Sequence, residues 1–343
     1  MKERLARNIE NLRHHLGAPA VGAAIVGRSG ATAVAVSGMT EIGGSTAVTD
    51  EDAWHIGSCT KTITALTVAS LIEEGLLEWD TPLSHVFADL NGIDSGWNAA
   101  TVEDLLQCRA GIGANLPFGD LHDWHSSVDS ESDQRSSVAA QTLSEPPQGL
   151  GKFVYSNLGY ILVGALIDRV ADRTYERAVF DRILNPLGVT DSGFGAPPRI
   201  AGHRRALQVG PVGFGRLATL GSDKPPDNPR VFNSAGRLHL PLPQWAKVIA
   251  LFLDDGPAVV SVDSRRRLAT PPPGGYFAMG WGIHPRGGLW MQGSNTLSGA
   301  TVRALGERAV IVTVSDARRK VMQATGEAAD QIMAAITENS RLP

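Results

Sequence analysis

Residues 54–61 read WHIGSCTK and hold the side chains best suited to do chemistry. Ser58 and Lys61 are three residues apart at the start of a helical pattern, and on a helix that spacing puts both side chains on one face. A serine hydroxyl is a weak nucleophile until a neighbouring group removes its proton. A buried lysine can act as that base if burial lowers its pKa, or it can stabilise another base as a cation. The alternative is that Ser58 only caps the helix, which is a common role for serine there.

A second candidate segment holds Tyr155 and Asn157 at a junction between a loop and a helix. A tyrosine near a lysine ammonium can act as a general base, because the cation stabilises the phenolate. The Asn157 amide can hydrogen-bond the lysine or a substrate carbonyl. The alternative is that Tyr155 packs its ring and Asn157 caps the following helix.

The third segment, residues 290–296, reads WMQGSNT and follows a strand pattern near the C-terminus. Gly293 at a strand edge would let a substrate approach the backbone closely. The N–H of Ser294 can pair with the N–H of Ser58 to form an oxyanion hole. The alternative is an ordinary end of a strand, since Gly-Ser-Asn favours turns.

The order and separation of these three segments resemble the serine β-lactamase-related hydrolases. That family includes class C β-lactamases, D-alanyl-D-alanine carboxypeptidases and esterases of the same fold. The segments 100–111 and 233–239 are also similar to the family, and the resemblance extends over roughly residues 5–338. It is specific for the superfamily and not for the substrate.

The resemblance implies a role for each matching residue. Ser58 is the nucleophile, either Lys61 or Tyr155 removes its proton, and Asn157 positions Lys61 and the substrate. The oxyanion lies between the backbone N–H groups of Ser58 and Ser294.

One departure from the family pattern concerns the substrate. The third motif usually begins with Lys or His, as K-T-G or H-x-G, whereas the matching triplet here is Met291-Gln292-Gly293. Methionine supplies neither a charge nor a strong hydrogen bond to a substrate carboxylate. An uncharged ester, lactone or amide therefore fits better than a β-lactam or a D-Ala-D-Ala peptide. Arg303 or another arginine is a candidate replacement for the missing cation, although the sequence does not place it.

The surrounding sequence predicts elements that would position these segments. Apolar residues at helical spacing predict helices over 5–16, 60–74 and 324–336. Short apolar runs separated by turn residues predict strands over 21–26, 32–36, 276–284, 289–292, 302–305 and 309–315. Helical patterns also cover 101–107, 159–171, 175–184 and 242–253. Residues 115–137 are polar and predict a surface excursion, and the Pro/Gly-rich residues 194–229 predict a long loop.

These elements predict an α/β fold. Hairpins at both ends of the chain, each beside a terminal helix, indicate one antiparallel sheet built from N- and C-terminal strands. We expect residues 1–75 and 270–343 to form the sheet region, and residues 76–269 to form an inserted, mainly helical region. The two would make one structural unit with the site at their seam.

Composition excludes several classes of protein. The chain has 343 residues, of which 43% are hydrophobic, and its formal net charge is −4. That apolar fraction is too high for a disordered chain, and no dense basic run points to nucleic acid. No apolar stretch is long enough for a membrane helix, and the two cysteines cannot build a disulfide framework. The N-terminal residues lack an apolar signal sequence, so we expect a cytoplasmic protein.

Other candidate residues have weaker support. His122 and His125 have a metal-like spacing, but they lie in a polar loop without a glutamate in register, so we expect no metal site. His55 is expected to pack against its neighbours. Cys59 follows Ser58 and would point elsewhere, so a buried structural role is favoured over a nucleophilic one. No nucleotide-binding glycine motif is present, and we expect no cofactor.

The sequence therefore predicts a serine hydrolase that forms an acyl-enzyme on a small ester, lactone or amide. The alternatives are a weak β-lactamase, a biosynthetic acyltransferase, and a non-catalytic binding domain on the same fold. The expected partner is a small-molecule substrate, with neither nucleic acid nor membrane, and the oligomeric state does not follow from the sequence.

Overall fold

The computed structural model describes residues 1–209, 212–219, 226–253 and 259–339. The helices in this part of the chain are α1 (Lys2–Leu16), α2 (Thr60–Glu73), α3 (Leu83–Val86), α4 (Val102–Leu106), α5 (Leu121–Ser126), α6 (Glu131–Leu143), α7 (Asn157–Val170), α8 (Tyr175–Val179), α9 (Asn233–Gly236), α10 (Leu242–Ala250), α11 (Val262–Leu268) and α12 (Arg319–Asn339). The strands are β1 (Ala20–Gly27), β2 (Gly30–Gly38), β3 (Ala53–His55), β4 (Gly193–Phe194), β5 (His203–Val209), β6 (Val212–Thr219), β7 (Leu238–Pro241), β8 (Gly282–Ile283), β9 (Leu289–Ser294), β10 (Gly299–Leu305) and β11 (Arg308–Val314).

The main sheet joins the two ends of the chain, as predicted. Its strand order is β2-β1-β11-β10-β9-β8, and all of the pairs are antiparallel. The N-terminal strand β1 pairs directly with the C-terminal strand β11, with Val21 opposite Val314. This arrangement confirms the predicted α/β fold with an antiparallel sheet.

Both faces of this sheet are covered, because its central strands alternate between two apolar clusters. In β1, Val21, Ala23 and Ile25 join the cluster formed with Leu5 of α1 and Ile332 of α12. The intervening residues of β1 and β11 face the larger cluster, which contains the residues of α2, α7 and α10. The molecule thus has three layers, with the two terminal helices on one side and the other helices opposite.

Helix α2 lies inside the larger cluster and is buried on every side. All twelve residues from Thr60 to Leu71 are buried, including the threonines, whose hydroxyls donate to backbone carbonyls of the helix and of the turn before it. A helix that is enclosed all round belongs to the centre of a domain. The residues at its start are therefore held in place by packing from every direction.

Three segments differ from the sequence prediction. The polar segment 115–137 contains α5 and the first part of α6, because Ser130 caps α6 by accepting from the Asp133 N–H at 3.1 Å. The predicted loop 194–229 contains the hairpin β5–β6, while residues 210–211 and 220–225 lie outside the described residues. The predicted strand 276–284 is reduced to β8, since only Gly282 and Ile283 pair with β9.

In the described ranges, none of the helices is both long and apolar enough to cross a membrane.

A buried ion cluster joins α6, α7 and α8. The Arg135 guanidinium bonds both carboxylate oxygens of Asp168 at 2.8 Å and also bonds Glu176 at 2.7 Å. Arg135 itself is fully buried. Removing one partner of a buried pair leaves an uncompensated charge, which costs more than the loss of an exposed pair.

We predict that Arg135→Met lowers the free energy of unfolding by about 3–5 kcal/mol, because two carboxylates then lose their counter-charge. Urea denaturation monitored by circular dichroism measures this change. Arg266→Met is the control, because Arg266 and its partner Asp263 are 72% and 93% exposed and their pair contributes little. Equal stability losses in the two variants would contradict the prediction.

Candidate active site

Ser58 lies in a tight 3-10 turn, Gly57–Cys59, that leads from β3 into α2. The turn needs a glycine, since Gly57 has φ +52° and its Cβ would overlap the backbone of Ser294. Ser58 therefore precedes the α-helix rather than belonging to it, which refines the sequence prediction. Its side chain is half-buried, at the point where the helix dipole favours negative charge.

Lys61 lies one turn further along, and its amine contacts Ser58 as the spacing predicted. The Nζ atom is 3.2 Å from Ser58 Oγ and 2.6 Å from both Asn157 Oδ1 and the Ala235 carbonyl oxygen. The side chain is 0% exposed. Four parts of the chain therefore meet at one nitrogen atom: the turn before α2, α2 itself, the start of α7 and α9.

The three contacts of Lys61 can be made by either protonation state of its amine. As an ammonium, Lys61 donates to all three oxygens, those of Ser58, Asn157 and Ala235. As a neutral amine it keeps two N–H donors for Asn157 and Ala235, and its lone pair can then accept the proton of the Ser58 hydroxyl. Burial lowers the pKa of Lys61 from its usual value to about 7. The neutral form is therefore accessible near neutral pH.

Tyr155 completes the group of residues around Ser58. Its ring centroid lies 5.0 Å from Lys61 Nζ. Burial raises the pKa of the phenol, and the neighbouring Ser58 hydroxyl partly offsets that effect. The phenol therefore keeps its proton at neutral pH, and the two pKa directions favour Lys61 over Tyr155 as a proton acceptor beside Ser58.

Asn157 begins α7, but it does not cap the helix with its side chain. Ser156 has that role, because its Oγ accepts from the Gly159 N–H at 2.7 Å. The Asn157 amide is free to accept from Lys61, and its Nδ2 donates to Asn115 Oδ1 at 2.7 Å. Asn115 and the Ala235 carbonyl were missed by the sequence analysis, since a loop asparagine and a backbone oxygen leave no distinctive pattern.

The third segment brings its backbone directly against the turn of Ser58. A Cβ on Gly293 would overlap the Ile56 carbonyl oxygen and would lie 2.6 Å from the Ser58 nitrogen. Only glycine permits this approach, which brings the backbone segments that carry the Ser58 and Ser294 nitrogens against each other. The Ser294 side chain is exposed, and its Oγ accepts from the Thr296 N–H at 2.8 Å.

The remaining residues of the third motif point to opposite sides of β9. Met291 is 5% exposed and belongs to the larger apolar cluster, on the same side of the strand as Gly293. Gln292 faces α12, where its Nε2 donates to Thr301 Oγ1 and to the Met322 carbonyl. Arg303 does not replace the missing cation, because it also faces α12 and pairs with Asp330 at 3.2 Å.

The structure also places the other candidates of the sequence analysis, namely Cys59, the pair His122 and His125, and His55. Cys59 is buried, and burial raises the pKa of its thiol well above the usual range, which disfavours a thiolate nucleophile. No cluster of potential metal ligands occurs in the described part of the chain, and His122 and His125 lie on the short helix α5. His55 is buried and hydrogen-bonded on both ring nitrogens, so it does more than fill space.

We predict that Gly293→Ala lowers kcat/KM by at least about 100-fold, because the new methyl group separates the two backbone segments. Steady-state kinetics with an activated ester measure the effect, and a thermal melt reports the accompanying loss of stability. Gly119→Ala is the control, since a Cβ at Gly119 meets nothing within 4 Å. Activity near the wild-type level in Gly293→Ala would show that the close approach of these two backbone segments is not needed for activity.

Comparison with known proteins agrees with this architecture. Among curated proteins, the unguisins hydrolase ungD' of Aspergillus campestris is 29% identical over 152 residues, covering 42% of this chain and 28% of that protein. Penicillin-binding protein 4 of Amycolatopsis lactamdurans is 25% identical over 265 residues, covering 72% of this chain and 65% of that protein. The chain thus spans less than two thirds of the length of either relative.

A solved structure shows the same fold over the whole chain. The D-amino acid amidase from Ochrobactrum anthropi SV3 superposes with a TM-score of 0.79 at 18% identity, covering 100% of both chains. A family model described as Beta-lactamase matches residues 5–335. Because that match covers almost the entire sequence, the chain belongs to the Beta-lactamase family.

Proposed function

We propose that this protein is a serine hydrolase in which Ser58 is acylated by a small, uncharged ester, lactone or amide. The observation that carries the proposal is the buried Lys61 amine, 3.2 Å from the Ser58 hydroxyl and hydrogen-bonded to two acceptors. In the neutral form, the two N–H groups of Lys61 donate to those acceptors and its lone pair faces the serine hydroxyl, which is what activation of a serine nucleophile requires.

The proposed reaction begins when Ser58 Oγ attacks the substrate carbonyl and Lys61 takes its proton. The negative charge that develops on the carbonyl oxygen is stabilised by the N–H groups of Ser58 and Ser294. When the tetrahedral intermediate collapses, the proton on Lys61 returns to the leaving group, directly or through the Tyr155 hydroxyl. Water then attacks the acyl-enzyme by the same route and regenerates Ser58.

The proposed preference for uncharged substrates depends on Met291. It occupies the position at which the family pattern has Lys or His, and it is buried among apolar side chains. Arg303, the candidate substitute, faces away from Ser58 and is held by Asp330. A substrate carboxylate bound at this position would therefore give up its hydration without gaining a cationic partner.

A β-lactam is the second candidate substrate. It is favoured by the similarity to penicillin-binding protein 4, which extends over 72% of this chain. Turnover of nitrocefin and of a short-chain p-nitrophenyl ester under the same conditions separates the two candidates. We expect the ester to have the higher kcat/KM, and the reverse order would favour the β-lactam.

We predict that Ser58→Ala lowers kcat on the ester by at least about 10⁴-fold, because no other group can form the acyl-enzyme. The fold should persist, since the change removes one half-buried hydroxyl. Ser144→Ala, in an exposed position at the end of α6, is the control and should retain full activity. Wild-type rates in a folded Ser58→Ala variant would show that the proposed function is wrong.

A further inference from the structure

A buried carboxylate links the two backbone segments that carry the proposed oxyanion hole. Asp227 lies in the loop before α9 and is 7% exposed. Its Oδ2 is 3.0 Å from His55 Nε2 and 3.2 Å from Arg237 Nε. Its Oδ1 accepts from Asn295 Nδ2 at 3.0 Å and from the Asn228 N–H at 2.8 Å.

On one side, this carboxylate reaches the turn of Ser58 through His55. The Gly57 N–H donates to His55 Nδ1 at 3.1 Å, so Nδ1 carries no proton. The ring proton is therefore on Nε2, which donates it to Asp227. The carboxylate thus fixes the ring that holds the peptide immediately before Ser58.

On the other side, the carboxylate reaches the turn that follows Ser294. Asn295 is 5% exposed, and its Oδ1 accepts from the N–H groups of Leu297 and Ser298 at 3.1 and 2.8 Å. The same side chain donates its amide to Asp227. Asp227 therefore also fixes the residue directly after Ser294.

Neighbouring groups compensate the buried negative charge of Asp227, which a carboxylate needs in order to stay ionised away from water. Burial opposes ionisation of Asp227, but His55, Arg237 and Asn295 together hold its pKa below the usual value. Arg237 supplies the opposite charge and is itself anchored by Asn233 Oδ1 at 2.6 Å. An isolated carboxylate at this depth would be strongly destabilising.

From this geometry we infer that Asp227, acting through His55 and Asn295, is a positioning residue that sets the spacing of the two oxyanion-hole N–H groups. The inference rests on the proposed function, because it assigns a role within that site. Asp227 does not touch the substrate or Ser58. It acts by holding together two turns that the glycine contact between residues 57 and 293 brings into register.

The variant that tests this role is Asp227→Asn. The carboxylate accepts from donors on both oxygens, whereas an asparagine must turn its NH₂ group towards one of those sides. In either orientation one half of the link breaks. His55→Asn is the second variant, since an asparagine amide can keep the contact with Gly57 while losing the bond to Asp227.

The experiment first establishes that wild-type hydrolysis of an activated ester depends on Ser58. If hydrolysis does not depend on Ser58, the result contradicts the proposed function rather than the role of Asp227. The kinetic constants and the affinity for a small boronic acid are then measured. A boronic acid adds to Ser58 Oγ and places an oxygen where the oxyanion forms, so its affinity reports the geometry of the two N–H groups.

We expect Asp227→Asn to lower kcat/KM by about 100-fold and to weaken the boronic acid by a similar factor, with KM nearly unchanged. His55→Asn should show the same pattern. The double variant should be no worse than either single variant, because both changes break one link. Asp168→Asn, at the far end of α7, is the control. It should lower stability without changing kcat/KM or the affinity for the boronic acid.

Three results would overturn the inference. One is wild-type kcat/KM in a folded Asp227→Asn variant, or in His55→Asn if Asp227→Asn does not fold. Another is a loss of kcat/KM without a loss of boronic acid affinity, which would indicate general destabilisation. The last is full additivity of the two losses in the double variant.

Discussion

The arrangement around Ser58 depends on burying one amine, that of Lys61. A fully buried lysine needs hydrogen-bond acceptors for its N–H groups, and α2 cannot supply them from within. The acceptors come from Asn157 at the start of α7 and from the Ala235 carbonyl in α9. The packing of α7 and α9 against α2 is therefore also what orients the lysine towards Ser58, so the core and the site cannot be separated.

A second constraint is the contact between the turn of Ser58 and the end of β9. The sheet fixes β9 through its pairing with β10, in which Gly293 lies opposite Ala300. Gly57 and Gly293 then let two backbones touch where any side chain would hold them apart. Asp227 joins the same two segments from behind, through His55 and Asn295. The position of two N–H groups is thus determined by a strand, a pair of glycines and a buried ion network.

The sequence predicted those features that depend on local geometry. Helical spacing was enough to pair Ser58 with Lys61, and the short apolar runs with turn residues at both ends of the chain were enough to find the sheet that joins them. It did not predict the helices within 115–137, because the part of α6 in that segment buries only the polar residues Gln134 and Arg135, while Val138, Ala139 and Leu143 follow it. Burial of an arginine depends on its distant carboxylate partners, which no local pattern shows.

The features that it missed at the site come from long-range contacts. Asp227 is 172 residues from His55 and 68 residues from Asn295, and it lies in a segment that was predicted to be a plain loop. The Ala235 carbonyl is a backbone group, so its role does not depend on residue type. The sequence left both Tyr155 and Lys61 as candidates for the base. Burial lowers the pKa of Lys61 and raises the pKa of Tyr155, which favours Lys61.

The central claim is that a neutral, buried Lys61 activates Ser58 for acylation. The most direct test is the pH dependence of acyl-enzyme formation, followed by rapid mixing with an activated ester, intact-protein mass spectrometry and peptide mapping. The account predicts one adduct, on Ser58, whose rate of formation rises as the pH passes through about 7 and Lys61 loses its proton. A rate that is constant or falls across that range, or an adduct on Cys59, would contradict it.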